Sequence, residues 1–193
     1  MLGFFALISR MKHIARWSLM RNSSPENVQE HSHMTAVLAH ALAVIRRDVF
    51  GRPCDPGAAA AAALFHDAGE IFTGDMPTPV KYLTPELTSA YKNAERGAAA
   101  RLLAQLPPEL RGSYGSLLEG GDEKTRDIVH AADKLSAYIK CVEEERAGNR
   151  EFLLAARQTK ERLDALDMPE VRYFTERFMP PFELTLDELG REG

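Results

Sequence analysis

His66 and Asp67 are adjacent, and Glu70 follows them in the same segment. On a helix turning about 100° per residue, Glu70 falls angularly between the other two, so three polar side chains gather on one patch. The preceding stretch, Ala58 to Phe65, holds no polar side chain. Such a segment is expected to be buried on most sides, and an aspartate at its end needs a partner: a cation, an arginine or a backbone cap. His31 lies in register with Val28, Leu38, Leu42 and Ile45 and is expected to face the core. Asp133 sits among alanines and aliphatics in Val129-His130-Ala131-Ala132-Asp133-Lys134-Leu135. Singly, an apolar-face histidine is most often a hydrogen-bonded core residue, and a mid-helix aspartate a solvated one. Together, imidazoles and carboxylates on separate apolar helices make a mixed nitrogen and oxygen donor set suited to one divalent cation. His33 competes with His31. The pair stand about 200° apart on a helix, and His33 has its own stripe in Val37, His40 and Val44. Periodicity leaves that choice open.

The elements that must position these residues read as helices almost throughout. Phe4, Phe5, Leu7, Ile8, Met11, Ile14 and Ala15 recur at helical spacing. Ser24-Pro25 predicts a cap and first turn for a helix from about Glu26 to Asp48. Asp55-Pro56 repeats that signal for an alanine-rich helix to about Phe72. Two prolines and a glycine make Thr73-Gly74-Asp75-Met76-Pro77-Thr78-Pro79 a stiff loop. Thr84-Pro85 opens another helix, ended by Pro107-Pro108. Asp122 caps one that continues to Gly148-Asn149. One or two more fill Arg150 to Phe178, before Pro180-Pro181 and an acidic tail. Strand alternation, repeats and low-complexity linkers are absent, so residues 1–193 are expected to form one all-α helical bundle, with the metal site in its core and the chemistry within about 26–140.

The chain has 24 Lys and Arg against 28 Asp and Glu, a net charge of −4, which argues against a duplex nucleic-acid surface. It leaves room for a small phosphorylated ligand. Cys54 and Cys141 stand far apart in no CxxC pattern, which favours a reducing compartment; the expected location is cytoplasmic. Leu2 to Ile8 is apolar but short, with Arg10, Lys12 and Arg16 after it, and reads as the start of a core helix. No apolar run is long enough to span a membrane.

One His, an adjacent His-Asp pair and a distant Asp resemble the HD-domain superfamily of phosphohydrolases, and the bacterial 5'-deoxynucleotidases within it. The resembling blocks are Arg16-Trp17-Ser18-Leu19-Met20-Arg21-Asn22, Glu26-Asn27-Val28-Gln29-Glu30-His31-Ser32, Phe65-His66-Asp67-Ala68-Gly69-Glu70, Thr73 to Tyr82, and Ala132-Asp133-Lys134-Leu135-Ser136-Ala137-Tyr138. A bare His-Asp pair is common; the Gly-Asp-Met-Pro-Thr-Pro loop together with Arg-Trp is far more specific.

The resemblance implies an HD-type fold and metal-dependent hydrolysis of deoxyribonucleoside 5'-monophosphates. It makes His31, His66, Asp67 and Asp133 the metal ligands, and it selects His31 over His33 through the preceding Glu30. It places Arg16, Trp17, His31, Glu70, Asp75, Met76, Pro77, Thr78 and Asp133 at the substrate, with Glu70, Asp75 and Arg16 acting in catalysis. Met76 stands where relatives can carry another apolar residue. Cobalt or manganese is the implied activating ion; the ligand types alone admit zinc, nickel or iron. A homodimer is implied as well. Phosphate monoesters need accelerations up to ~10²¹, so several groups must share the work. Each residue also has a plainer reading. Arg16 would end the first helix, Trp17 would be core, Asp75 a turn residue and Lys81 structural, and Glu143-Glu144-Glu145 reads as a solvated run without function.

Two other functions compete. An HD phosphohydrolase or phosphodiesterase acting on a cyclic nucleotide or nucleoside polyphosphate would want a broader basic pocket than Arg16 and Arg21 supply. A non-catalytic nucleotide-binding regulator would not need Glu70 as a water activator.

Overall fold

The computed structural model describes residues 2–190. Among them the chain forms α1 (Phe4–Ile8), α2 (Val28–Val44), α3 (Pro56–Phe65), α4 (Glu70–Thr73), α5 (Thr78–Lys81), α6 (Pro85–Leu103), α7 (Pro108–Leu118), α8 (Glu123–Arg146), α9 (Leu153–Asp164), α10 (Pro169–Phe178) and α11 (Leu186–Leu189). The all-helical expectation holds. No helix among the described residues is long and apolar enough to cross a membrane.

Local chemistry sets the boundaries, and in four places it departs from the sequence reading. The cap of α2 is Asn27 rather than Ser24. Its side chain accepts from the Glu30 amide at 3.0 Å, and the Glu30 carboxylate takes the Asn27 amide at 3.1 Å. This reciprocal box satisfies donors that the Ser24-Pro25 signal would have left open. The first apolar stretch does not stay helical to Ala15. After α1 and a 3₁₀ turn, Ser9–His13, the chain extends, and Ala15 pairs antiparallel with Asn27. The alanine-rich helix, capped by Asp55 as expected, stops at Phe65 and not near Phe72. There the His66 ring claims the Ala63 carbonyl at 2.7 Å, and one-turn bonds such as Glu70 N to Asp67 O at 3.0 Å carry the chain into α4. The stiff loop is shorter than predicted. Thr78–Lys81 is a helical turn, because Pro79 falls near its start, where a missing N–H costs nothing.

Alanines govern how closely the central helices approach. Ala39 and Ala43 on α2, Ala59, Ala62 and Ala63 on α3, and Ala131 and Ala132 on α8 are all fully buried, packed with Leu42, Ile128 and Leu135. Small side chains at the crossings bring these axes together. The burial of α3 is one-sided, since Leu64 is 44% exposed. His31 projects from α2, His66 stands at the end of α3 and Asp133 lies beside Ala132 on α8. The same seam that closes the core therefore gathers the polar groups.

Glu144 corrects the reading of a solvated acidic run. It is buried on α8 and pairs with the buried Lys140. Its carboxylate also accepts from the Ser23 amide at 2.8 Å, the Ser24 amide at 3.1 Å and Asn149 Nδ2 at 2.8 Å. Lys140 donates in turn to the Ser24 carbonyl. A remote loop, residues 17–24, is thereby fastened to α8. Burial alone would raise the Glu144 carboxyl, but Lys140, Asn149 and the two amides outweigh it and push it down to about 2. A depressed carboxyl stabilises the fold above its unfolded value near 4.5, and that stability is lost as pH falls through about 2. Glu144→Gln is expected to flatten acid denaturation over that window. Glu144→Ala is expected to cost about 3 kcal/mol or more, because it strands the Lys140 charge; urea unfolding at pH 7 and at pH 3 checks both.

Candidate functional site

His66 is the most constrained member of the cluster. Its Nδ1 lies 2.7 Å from the Ala63 carbonyl, which can only accept, so the proton sits on Nδ1. The Nε2 lone pair therefore faces inward. It stands 3.1 Å from Asp67 Oδ2 and 3.9 Å from Asp133 Oδ1, and it is buried without a hydrogen-bond partner. His31 is fully buried, with Nε2 3.0 Å from Asp133 Oδ1 and 3.6 Å from Asp67 Oδ2. Its Nδ1 is 3.2 Å from the Ser136 hydroxyl, and Thr35 Oγ1 is 3.4 Å from Nε2. Donor atoms of His31, His66 and Asp133 all lie within 4.8 Å of one another. Asp67 closes in on the two imidazoles from the side. His33, the rival by periodicity, is exposed.

Lone pairs aimed at carboxylates in a partly buried cluster repel unless a proton or a cation stands between them. The side chains answer with protons. Burial lowers the His66 imidazole, but Asp67, helped by Asp133, outweighs this and raises it to about 9. Burial raises Asp133, yet His31, by hydrogen bond and charge, drives it well below the carboxylate range. Asp67 is likewise lowered by His66 against its burial. Two imidazole nitrogens and two carboxylates at these spacings fit a divalent ion, which would replace the shared protons.

Glu70 stands at the start of α4 with Oε2 buried and unpartnered. Burial, then the charges of Asp67 and Asp75, push its carboxyl up to about 10. A cation in the cluster acts in the opposite direction. Asp75 is raised by burial and partly relieved by Arg16. The Arg16 charge also acts on Glu70 and Asp133, so these four groups share one electrostatic neighbourhood. His66, Asp67 and Glu70 line one end of a groove of about 730 Å³ that runs past Ser89, Lys92, Asn93 and Arg96 of α6. Half-buried Met76 and Pro77 lie on the α4–α5 connection and exposed Thr78 opens α5, all three outside that groove.

Arg16 and Trp17 come from the extended entry to α2. Trp17 has φ of 56°, left-handed for a bulky residue, a strain of roughly 1–2 kcal/mol. Local bonds hold it: Met20 N donates to the Trp17 carbonyl at 2.9 Å, and Asn22 Nδ2 does so at 3.3 Å. Its ring packs on Phe152, centroids 5.3 Å apart. Arg16 Nη1 and Trp17 Nε1 both donate to Glu26 Oε2. Glu26 and Ser136, part of the resembling blocks, have no role predicted from sequence. The spacing of Ser136 three residues after Asp133, on the same helix face, was the available signal; Glu26 had none. Lys81, read as structural, pairs with Glu95 at 2.8 Å over the Tyr91 ring.

A family model described as 5'-deoxynucleotidase YfbR-like matches residues 3–182. The chain belongs to this family. The YfbR-like chain is 46% identical over 189 residues to a 5'-deoxynucleotidase of Vibrio parahaemolyticus, covering 97% of each. It is 44% identical over 192 residues to the 5'-deoxynucleotidase YfbR of Escherichia coli, covering 98% of this chain and 96% of that one. Its fold is that of an HD-domain phosphohydrolase from Listeria innocua, with a TM-score of 0.81 at 24% identity over 93% of this chain and 88% of that one. It is also similar to the cyanophage S-2L HD phosphohydrolase DatZ, solved with dA and one catalytic Zn²⁺, with a TM-score of 0.61, 26% identity, and 91% and 95% of the two chains covered.

Proton and metal compete for the same lone pairs. Apparent affinity for Mn²⁺ is expected to fall by about tenfold per pH unit below the His66 value, for one proton displaced. Saturating Mn²⁺ at pH 8 is expected to raise Tm by about 5–10 °C in the wild type and to leave His66→Ala unmoved. Thermal melts across pH and metal concentration check both.

Proposed function

We propose that this chain is a metal-dependent 5'-deoxynucleotidase that hydrolyses deoxyribonucleoside 5'-monophosphates to deoxynucleoside and phosphate. The observation that carries the reading is the meeting of His31, His66, Asp67 and Asp133, with Glu70 Oε2 buried and unpartnered beside them. The full-length likeness to proteins named 5'-deoxynucleotidases supports the substrate class. We take the four residues as ligands of one divalent ion, cobalt or manganese by family resemblance, with zinc the ion bound in the DatZ neighbour. The protein would act as a single cytoplasmic domain paired in a homodimer.

The bound ion supplies Lewis acidity and positive charge for the phosphate. The chain's own residues do the rest. Arg16 presents its free guanidinium edge to phosphate oxygens. Glu70 orients the attacking water and takes its proton. Asp75, whose carboxyl burial raises, holds a proton near the leaving 5'-oxygen. Ser136 fixes the His31 ring through Nδ1. Met76, Pro77 and Thr78 form the wall at the sugar. Trp17 stands at the 2' carbon, and its only N–H is already taken by Glu26. A ribose hydroxyl buried there finds no partner, a penalty of about 1–3 kcal/mol.

Purified protein loaded with Mn²⁺ or Co²⁺ is expected to release phosphate from dAMP about tenfold to a hundredfold faster than from AMP at equal concentration. No release from either removes the nucleotidase, and equal rates remove the deoxy preference. Glu70→Ala is expected to keep stoichiometric metal and lose on the order of a hundredfold or more in kcat. Near-wild-type turnover in that variant would overturn its role, as measured by phosphate release alongside metal analysis.

A further inference from the structure

Glu26 lies immediately before the cap of α2 and turns its carboxylate toward the Arg16–Trp17 loop. One oxygen, Oε2, accepts from Arg16 Nη1 at 2.9 Å and from Trp17 Nε1 at 3.2 Å. The Arg16 and Glu26 side chains are only 12% and 15% exposed, so water competes little for these bonds. The Glu26 carbonyl also accepts the Arg16 amide at 2.9 Å. One residue thus fixes the backbone, the guanidinium and the indole of its neighbours across the strand-like pairing.

This arrangement has chemical consequences for both side chains. An indole carries a single N–H and no acceptor. With that donor spent on Glu26, and Phe152 packed against the ring, Trp17 offers a ligand carbon alone. A guanidinium carries five N–H donors in a rigid fork. Holding Nη1 at Glu26 sets the orientation of the donors that remain.

We propose that Glu26 is a specificity-positioning residue: by occupying the Trp17 N–H it withholds that donor from a ribose 2'-hydroxyl, and by anchoring Arg16 it aims the free guanidinium edge at the phosphate. This rests on the nucleotidase reading above and adds a residue that sets its sugar preference without touching the substrate. Removing the carboxylate frees the indole N–H to reach a 2'-hydroxyl, so the ribonucleotide gains more than the deoxyribonucleotide. A purely structural role would lower both activities together and leave their ratio alone.

The test compares wild type, Glu26→Gln and Glu26→Ala as full chains loaded with Mn²⁺. It measures kcat and KM on dAMP and AMP, metal content, Tm, and the emission of Trp17, the chain's only tryptophan. In Glu26→Ala the ratio of kcat/KM for dAMP over AMP is expected to fall about tenfold, chiefly through a lower KM for AMP, as the newly available hydrogen bond implies. KM for dAMP is expected to rise with Arg16 released. Trp17 emission of the free protein moves to longer wavelength as the indole N–H meets water, and metal stoichiometry stays at the wild-type level. Glu26→Gln keeps one acceptor for two donors and falls between; it carries the same readings if the alanine variant fails to fold. A folded variant with the wild-type dAMP/AMP ratio overturns the proposal, whatever its emission. Phosphate release from neither nucleotide by the wild type removes the nucleotidase reading and the proposal with it, an outcome distinct from a discriminating wild type whose variants discriminate equally.

Discussion

Carboxylate oxygens and imidazole lone pairs cannot crowd together in a partly buried site without positive charge between them, and the architecture of this chain follows from that constraint. His31 and His66 point nitrogen lone pairs at Asp67 and Asp133 across 3.0–3.9 Å. Such a cluster is unfavourable by itself. It persists because the surrounding helices are locked by an alanine seam whose packing does not depend on the site. The polar groups are also delivered from three separate segments, α2, the end of α3 and α8, so no one helix has to bend to bring them together.

The two halves of the site are built differently. The half formed by His31, His66, Asp67 and Asp133 stands on α2, the end of α3 and α8, against packed apolar surface. The residues proposed for the substrate, Arg16, Trp17 and Asp75 to Thr78, stand largely on connections between helices, and the Arg16–Trp17 loop is stiffened by hydrogen bonds. Glu144, Lys140 and Asn149 fasten the loop after Trp17 to α8, and Phe152 backs the indole. The left-handed conformation of Trp17 is affordable only with that support. In the function proposed above, a rigid charge centre beside an externally braced loop would separate the demands of ion binding from those of sugar recognition.

The sequence was informative wherever a single local rule operated. Helix periodicity, proline breaks and the Asp55 and Asp122 caps gave the order and type of the main helices. Burial periodicity placed His31 inward but did not distinguish it from His33; only family resemblance, through the preceding Glu30, separated them, and the fold then left His33 exposed. The break of α3 at Phe65 was not legible, because it depends on the His66 ring finding a particular carbonyl. Glu144 was misread for a related reason. An acidic triplet is normally solvated, and nothing local shows that two amides more than a hundred residues away in sequence would come to meet its middle member. Glu26 carried no periodic or cap signal, since its partners are side chains across an extended pairing. Long-range polar contacts of this kind are what local pattern cannot supply.

The grip of the Ala63 carbonyl on His66 has an implication for how such a centre can vary. A main-chain oxygen is present whatever side chain occupies position 63, so the choice of ring nitrogen is insulated from substitution there, provided the replacement is small enough for the α2–α3 crossing. His31 has no such insurance, because its outer nitrogen leans on the Ser136 hydroxyl. Of the two imidazoles, one is oriented by topology and the other by sequence, and genetic drift can reach only the second without refolding the backbone.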